Sequence, residues 1–170
     1  RRALSAARRS ARAACPSPRL PLPAVGEGKR GEQGHIGYLL RQAFTAHRIR
    51  MEQALAATGA TLPQFAVLTM LAAYPGASGA DLARLSLLTP QTVSVIVANL
   101  EKAGHIARRA HGEHGRIRII ELTDAGERLL SHCRQVVAPV EQALLAGVPP
   151  EDEAAVRRWL VAIAREAAAG

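Results

Sequence analysis

Residues 89–109 read "TPQTVSVIVANLEKAGHIARR", and the fold turns on how this stretch is parsed. Thr89 offers the hydroxyl of an N-cap, and Pro90 suits the first turn, where its missing N–H is no loss. Val93, Ile96, Val97 and Leu100 then recur at three- and four-residue steps, the stripe of a helix with one buried side. Gly104 stands just past the helix end, where the chain favours a left-handed residue. After it the period changes. "HIARRA" and "RIRIIEL" are strand-like, and "HGEHG" between them suits a hairpin tip. The local unit is a capped helix that runs straight into a basic hairpin.

Working outward, the same cap chemistry marks the neighbouring helices. Thr61-Leu-Pro-Gln64 and Ser78-Gly-Ala-Asp81 have capping-box spacing, each ahead of an apolar run. Farther upstream, Ile36, Leu40, Ala43/Phe44, His47, Met51 and Leu55 form one helical stripe. Downstream, Thr123 caps a long helix with the stripe Leu129/Leu130, Cys133, Val136/Val137, Val140 and Leu144, in which Pro139 is expected to introduce a kink. Gly147-Val-Pro-Pro breaks the chain before a last amphipathic helix with an acidic start and basic later turns, in keeping with the helix dipole. The expected fold is mainly α with a small β-hairpin wing, a winged helix-turn-helix over 61–122. The flanking helices, 34–60 and 123–170, find too little partner surface in so small a domain. Their stripes are expected to pack against a second copy.

The formal charge of the 170 residues is +8, unevenly spread. Residues 1–30 hold eight basic groups and one acid, residues 84–118 six against two, and residues 119–170 five against eight. Residues 1–33 read as a basic Pro/Arg/Ala-rich tail, too poor in apolar surface to order itself; a transit peptide, an over-extended reading frame or a basic DNA-binding arm are its other readings. The globular part is polarised, which suits a protein that offers one face to a polyanion. Two cysteines are too few for a disulfide framework and fit a reducing cytoplasm. No apolar run approaches the ~20 residues of a membrane span, and no membrane partner is expected.

Across residues 35–168 the chain resembles the MarR family of bacterial winged-helix regulators. The match is carried by "TLPQFAVLTMLAAYPGASGADLARL", "TPQTVSVIVANLEKAGHIARR" and "HGRIRIIELTDAGERLL". The "LEKAG…ARR" helix end and the "LTDAG" helix start are specific as a pair. The resemblance implies a homodimer built from helices at both chain ends, two winged DNA-binding lobes, and repression relieved by a small, often aromatic, ligand. Two departures stand out. The usual acidic residue of the wing tip is replaced by His114, although Arg116 matches the arginine that follows, and Val95 occupies a recognition-helix position that is arginine in many members.

At ~100° per residue, the outward face of the 90–102 helix carries Gln91, Val95, Ala98 and Lys102, flanked by Thr92, Ser94 and Asn99. Gln and Asn can pair bidentately with adenine, Ser and Thr serve either type of base pair, and a valine can press on a thymine methyl. Gln91, Thr92, Ser94, Val95 and Asn99 are therefore the candidate base readers of double-stranded DNA, with a preference for A·T-containing half-sites. Arg84, Lys102, Arg108, Arg109, Arg116 and Arg118 are the candidate phosphate and minor-groove contacts. Arg116 is the foremost, because it follows a Gly-bounded tip and a narrow A·T minor groove attracts arginine. On the first helix, Tyr38, Arg41, His47 and Arg48 are candidates to hold an anionic aromatic effector.

Other chemistry is weaker. His105, His111 and His114 cluster around the hairpin, but structural zinc wants four ligands and only Glu113 adds to the set; no metal and no cofactor is expected. No nucleophile–base–orienter set suggests an enzyme. Cys133 lies on an apolar stripe, where cysteine acts as a small hydrophobe. A bacterial cytoplasmic regulator acting on the nucleoid is the leading expectation. A winged-helix interaction module without specific DNA binding, and a non-specific DNA-packaging protein, are the alternatives.

Overall fold

The computed structural model describes residues 24–110 and 118–168. The chain divides into two compact units, one up to Gln42 and one from Ala43. Six helices and a hairpin follow in order: α1 (Ile36–Leu55), α2 (Leu62–Ala73), α3 (Gly79–Leu85), α4 (Pro90–Lys102), β1 (Ile106–Ala110), β2 (Arg118–Leu122), α5 (Asp124–Leu144) and α6 (Pro150–Ala168).

In the first unit, residues 24–34 are not featureless. They form turns around a short 3-10 helix, Gly28–Arg30. Gln42 of α1 holds this segment, its amide nitrogen 3.4 Å from the Arg30 carbonyl and its amide oxygen 3.4 Å from the Arg30 guanidinium. A Cβ on Gly31 would come within 2.3 Å of the Gly26 carbonyl oxygen, so the turn closes only on a glycine.

In the second unit the four side-chain-capped helix starts, those of α2 to α5, form as their sequence suggests. Thr61 and Ser78 each make a complete capping box, with Gln64 and Asp81. Thr89 accepts from the Thr92 amide, and Thr123 from the Gly126 amide. These bonds satisfy amides at the first turns that the helices themselves leave without a partner. Gly104, at φ 76°, ends α4 through the left-handed region, as its position in the sequence predicts.

One core lies under the α2–α3–α4 arrangement and the hairpin, built on Val67, Leu68, Leu82, Val93, Leu100 and Ile106, all at most 2% exposed. A second joins the end of α1 to α5 through Met51, Leu55, Ala60, Cys133 and Val137. The helix α5 is continuous through Pro139, which sits on an exposed side. The stripe of α1 behaves differently at its two ends. Met51 and Leu55 are buried, while Ile36, Leu40 and Phe44 are 39–65% exposed. On α6, no described side chain is buried, and Val156, Trp159, Leu160 and Ile163 keep 38–50% exposure along one helix face. The expectation that the flanking stripes lack a partner within the chain holds for the start of α1 and for α6, but not for the end of α1 and the stripe of α5, which bury each other.

Candidate nucleic-acid interface

The helix α4 presents two chemically distinct sides. Val93, Ile96, Val97 and Leu100 are at most 7% exposed and pin it to the core, as the stripe predicts. Gln91, Thr92, Ser94, Val95, Ala98, Asn99 and Lys102 are exposed. The side chains proposed for base contact therefore share one solvent face. One of them is partly committed: the Thr92 hydroxyl lies 2.8 Å from that of the cap Thr89. Its hydroxyl is less free than those of Ser94 and the two amides, a local bond that cap chemistry alone does not announce.

α3 reaches α4 through a tight turn. Leu88 N–H donates to the Ala83 carbonyl at 3.0 Å, and Leu87 N–H to that of Arg84 at 3.3 Å. Leu87 adopts φ 55°, the one non-glycine residue in the left-handed region among the described residues, and its side chain is 92% exposed. Nothing is packed in return for that backbone strain.

The root of the hairpin ties the "LEKAG" segment to the "LTDAG" segment. The Thr123 hydroxyl donates to the Gly104 carbonyl at 2.7 Å and its N–H to the His105 carbonyl at 3.1 Å. The same hydroxyl accepts from the Gly126 amide at 3.1 Å. Gly126 lets α5 touch the loop, since a Cβ there would lie 1.9 Å from the His105 carbonyl oxygen. The last turn of α4 and the first turn of α5 are thus one joint.

β1 and β2 pair antiparallel, with Ile106 opposite Leu122, Arg108 opposite Ile120 and Arg109 opposite Ile119. Alternation turns Ile106, Arg108 and Ile120 toward the core and Arg109 outward. Arg108 Nε is 3.1 Å from Glu101 Oε2, with 30% of its side chain exposed; Arg109 Nε is 3.0 Å from Glu121 Oε2 but 72% exposed. Arg84 is 79% exposed and ion-paired to Asp81. The hydrogen bond from the Ser78 hydroxyl, and then the Arg84 guanidinium, hold the Asp81 carboxyl below the usual aspartate range. Asp81 and Arg84 are an i,i+3 pair that the helical spacing of α3 already offers, whereas Glu101 and Glu121 come beside their arginines only in the folded chain. Arg116, with His111, Glu113 and His114, lies outside the described residues, as does the side chain of Arg118.

Among the described residues no group of three or more His, Cys, Asp or Glu is placed to hold a metal ion. His105 has its Nδ1 buried without a hydrogen-bond partner. No single described helix is long and apolar enough to cross a membrane.

The effector candidates all belong to α1. Tyr38, 44% exposed, and Arg41 belong to the first unit. His47 Nε2 lies 3.5 Å from Glu141 of α5, and Arg48 lies 3.5 Å from Glu52. Three clefts are lined by other residues. The first, of about 550 Å³, runs along Tyr74–Ala77, Asp81, Arg84 and Leu85. The second, of about 480 Å³, lies where Leu71, Glu121, Glu127, Leu130 and Arg134 converge. The third, of about 290 Å³, opens where α3, α4 and the hairpin converge, with Ser94 and Arg108 in its wall.

The MarR family model matches residues 58–117. The HTH-type transcriptional repressor Rv2887 of Mycobacterium tuberculosis is 35% identical over 125 residues, covering 74% of this chain and 90% of the relative. The crystal structure of that MarR family protein in complex with salicylic acid superposes with a TM-score of 0.62 at 33% identity, over 78% of this chain and 98% of the other. The transcriptional repressor CouR bound to a 23-mer DNA duplex gives a TM-score of 0.71 at 26% identity, over 81% and 96% of the two chains.

Proposed function

Because the chain belongs to the MarR family, we propose that it is a sequence-specific, DNA-binding transcriptional regulator: a homodimeric repressor that a small aromatic ligand releases. The observation that carries this reading is the face of α4. Its inner stripe is wholly buried, and its outer side is a row of small polar groups with one cation, Lys102, braced against a hairpin bearing arginines. It is a binding protein rather than an enzyme, and it acts in the cytoplasm on the nucleoid.

Gln91, Ser94, Val95 and Asn99, with Thr92 in a lesser share, read base edges in the major groove. Each well-formed bidentate contact is worth about 1–3 kcal/mol of discrimination. Lys102, Arg84, Arg109, Arg116 and Arg118 neutralise phosphates or enter the minor groove, supplying affinity with little sequence information. The exposed apolar faces of α1 and α6 receive a second copy, which sets two lobes at half-site spacing. The salicylic acid complex of Rv2887 supports an aromatic acid as effector, and Tyr38, Arg41, His47 and Arg48 are the first residues to vary in looking for its site.

The test is fluorescence anisotropy of the full chain against DNA enriched from a random pool, with a shuffled duplex as control. Selective binding that Gln91→Ala and Asn99→Ala relax, and that salicylate reverses, is the expected result. Equal affinity for both duplexes would favour non-specific packaging of DNA. Absence of binding to every pool would favour an interaction module.

A further inference from the structure

Arg108 and Arg109 are adjacent and alike in the sequence, but the fold gives them different surroundings. Arg108 shares the inner face of the hairpin with Ile106 and Ile120, which are 2% and 4% exposed. Arg108 lines the third cleft with Val97 and Ile120, a setting in which a long basic side chain can cover apolar surface with its stem while the head stays polar. The guanidinium reaches Glu101 in the last turn of α4. A carboxylate at that end faces the negative pole of the helix and is unfavourable without a compensating cation. For Arg108 to reach a phosphate it would leave Glu101 unpaired there and uncover part of the core. Arg109 is held less closely: its side chain is 72% exposed against 30% for Arg108, and its half-buried partner Glu121 belongs to β2 and faces no helix pole.

We infer that Arg108 is a positioning residue that clamps β1 to the C-terminal end of α4 through Glu101, and that Arg109 is the member of the pair that meets phosphate. This rests on the DNA-reading function proposed above. Ser94 and Asn99 can sit in one groove while the hairpin approaches the next only if the corner at Gly104 holds a set angle. The left-handed Gly104 is the covalent bend, and the Glu101–Arg108 pair braces the elements on either side of it.

The test uses the full chain with Arg108→Gln, Glu101→Gln, Arg109→Gln and the exchange Glu101→Arg/Arg108→Glu. For DNA binding followed across salt concentrations, Arg108→Gln and Glu101→Gln should each weaken affinity roughly two- to fivefold, the scale of a half-exposed ion pair. Neither should alter the salt slope, and the exchange should recover most of the loss. Arg109→Gln should lower the slope by about one for each protomer. The clamp is overturned if Glu101→Gln tightens binding while Arg108→Gln reduces the slope, since Arg108 would then be a phosphate contact held back by its carboxylate. Hydrogen exchange of the 106–110 amides in DNA-free protein decides the clamp independently. Faster exchange in both single variants, restored by the exchange, supports it, and unchanged exchange overturns it. Should the wild-type chain bind no DNA at all, the DNA-reading function fails by itself and the exchange data still settle the pairing.

Discussion

Replacing Gly126 with alanine tests the joint on which the hairpin's placement depends. In an ordinary helix the change would be favourable by about 0.8–1 kcal/mol through propensity. Here the added Cβ would stand 1.9 Å from the His105 carbonyl oxygen. Restoring 3.0 Å, the closest approach real Cβ atoms show, requires α5 and the loop to part by about 1.1 Å, the difference between the two distances. Overpacking of this kind typically costs about 1–3 kcal/mol. The same displacement strains the Thr123 N–H bond to His105, worth about 1 kcal/mol. The opposing contributions leave a net loss of about 2 kcal/mol, or roughly 4–8 °C in Tm for a chain of this length. Urea and thermal denaturation should be run at fixed protein concentration, because self-association would couple stability to mass action. Gly79→Ala is the control: it too lies in a helix, but its Cβ would meet nothing within 4 Å, so stability should hold or rise slightly. A Gly126→Ala protein as stable as the wild type would refute the close approach that ties "LTDAG" to "LEKAG".

Three further outcomes are expected. Leu87→Gly should stabilise the protein by about 1 kcal/mol, because it relieves a left-handed leucine at the helix end whose 92% exposed side chain packs on nothing; a lower Tm would show that the leucine is held by contacts in the dimer. Asp81 has a folded pKa lowered first by the Ser78 hydroxyl and then by Arg84, so its contribution is complete above the ordinary aspartate range, about 4, and disappears as pH falls through the lower folded value. Asp81→Asn should therefore flatten the acid limb of the stability profile, and an unchanged limb between pH 5 and pH 2 would contradict the capping assignment. Trp159→Glu with Leu160→Glu puts two charges on the exposed face of α6 and should convert a dimer to monomers in sedimentation velocity; a dimer that survives both changes would place the interface elsewhere.

The order of elements, the four helix starts and the buried side of α4 were legible in the sequence. A cap joins residues three apart, and a helical stripe repeats within one turn, so the information is local. The Thr61, Ser78, Thr89 and Thr123 caps all form where the spacing places them. Only the tertiary structure separated Arg108 from Arg109. Which of two neighbouring arginines turns inward depends on strand register, and which carboxylate waits there depends on where α4 ends against β1. Only the tertiary structure, likewise, showed Gly126 to be a contact point, because its partner carbonyl is 21 residues away in the chain. Clefts form where several elements converge, so no pattern along one helix identifies which side chains will line one. What repeats along one element is written in the sequence; what two elements do to each other is decided when they pack.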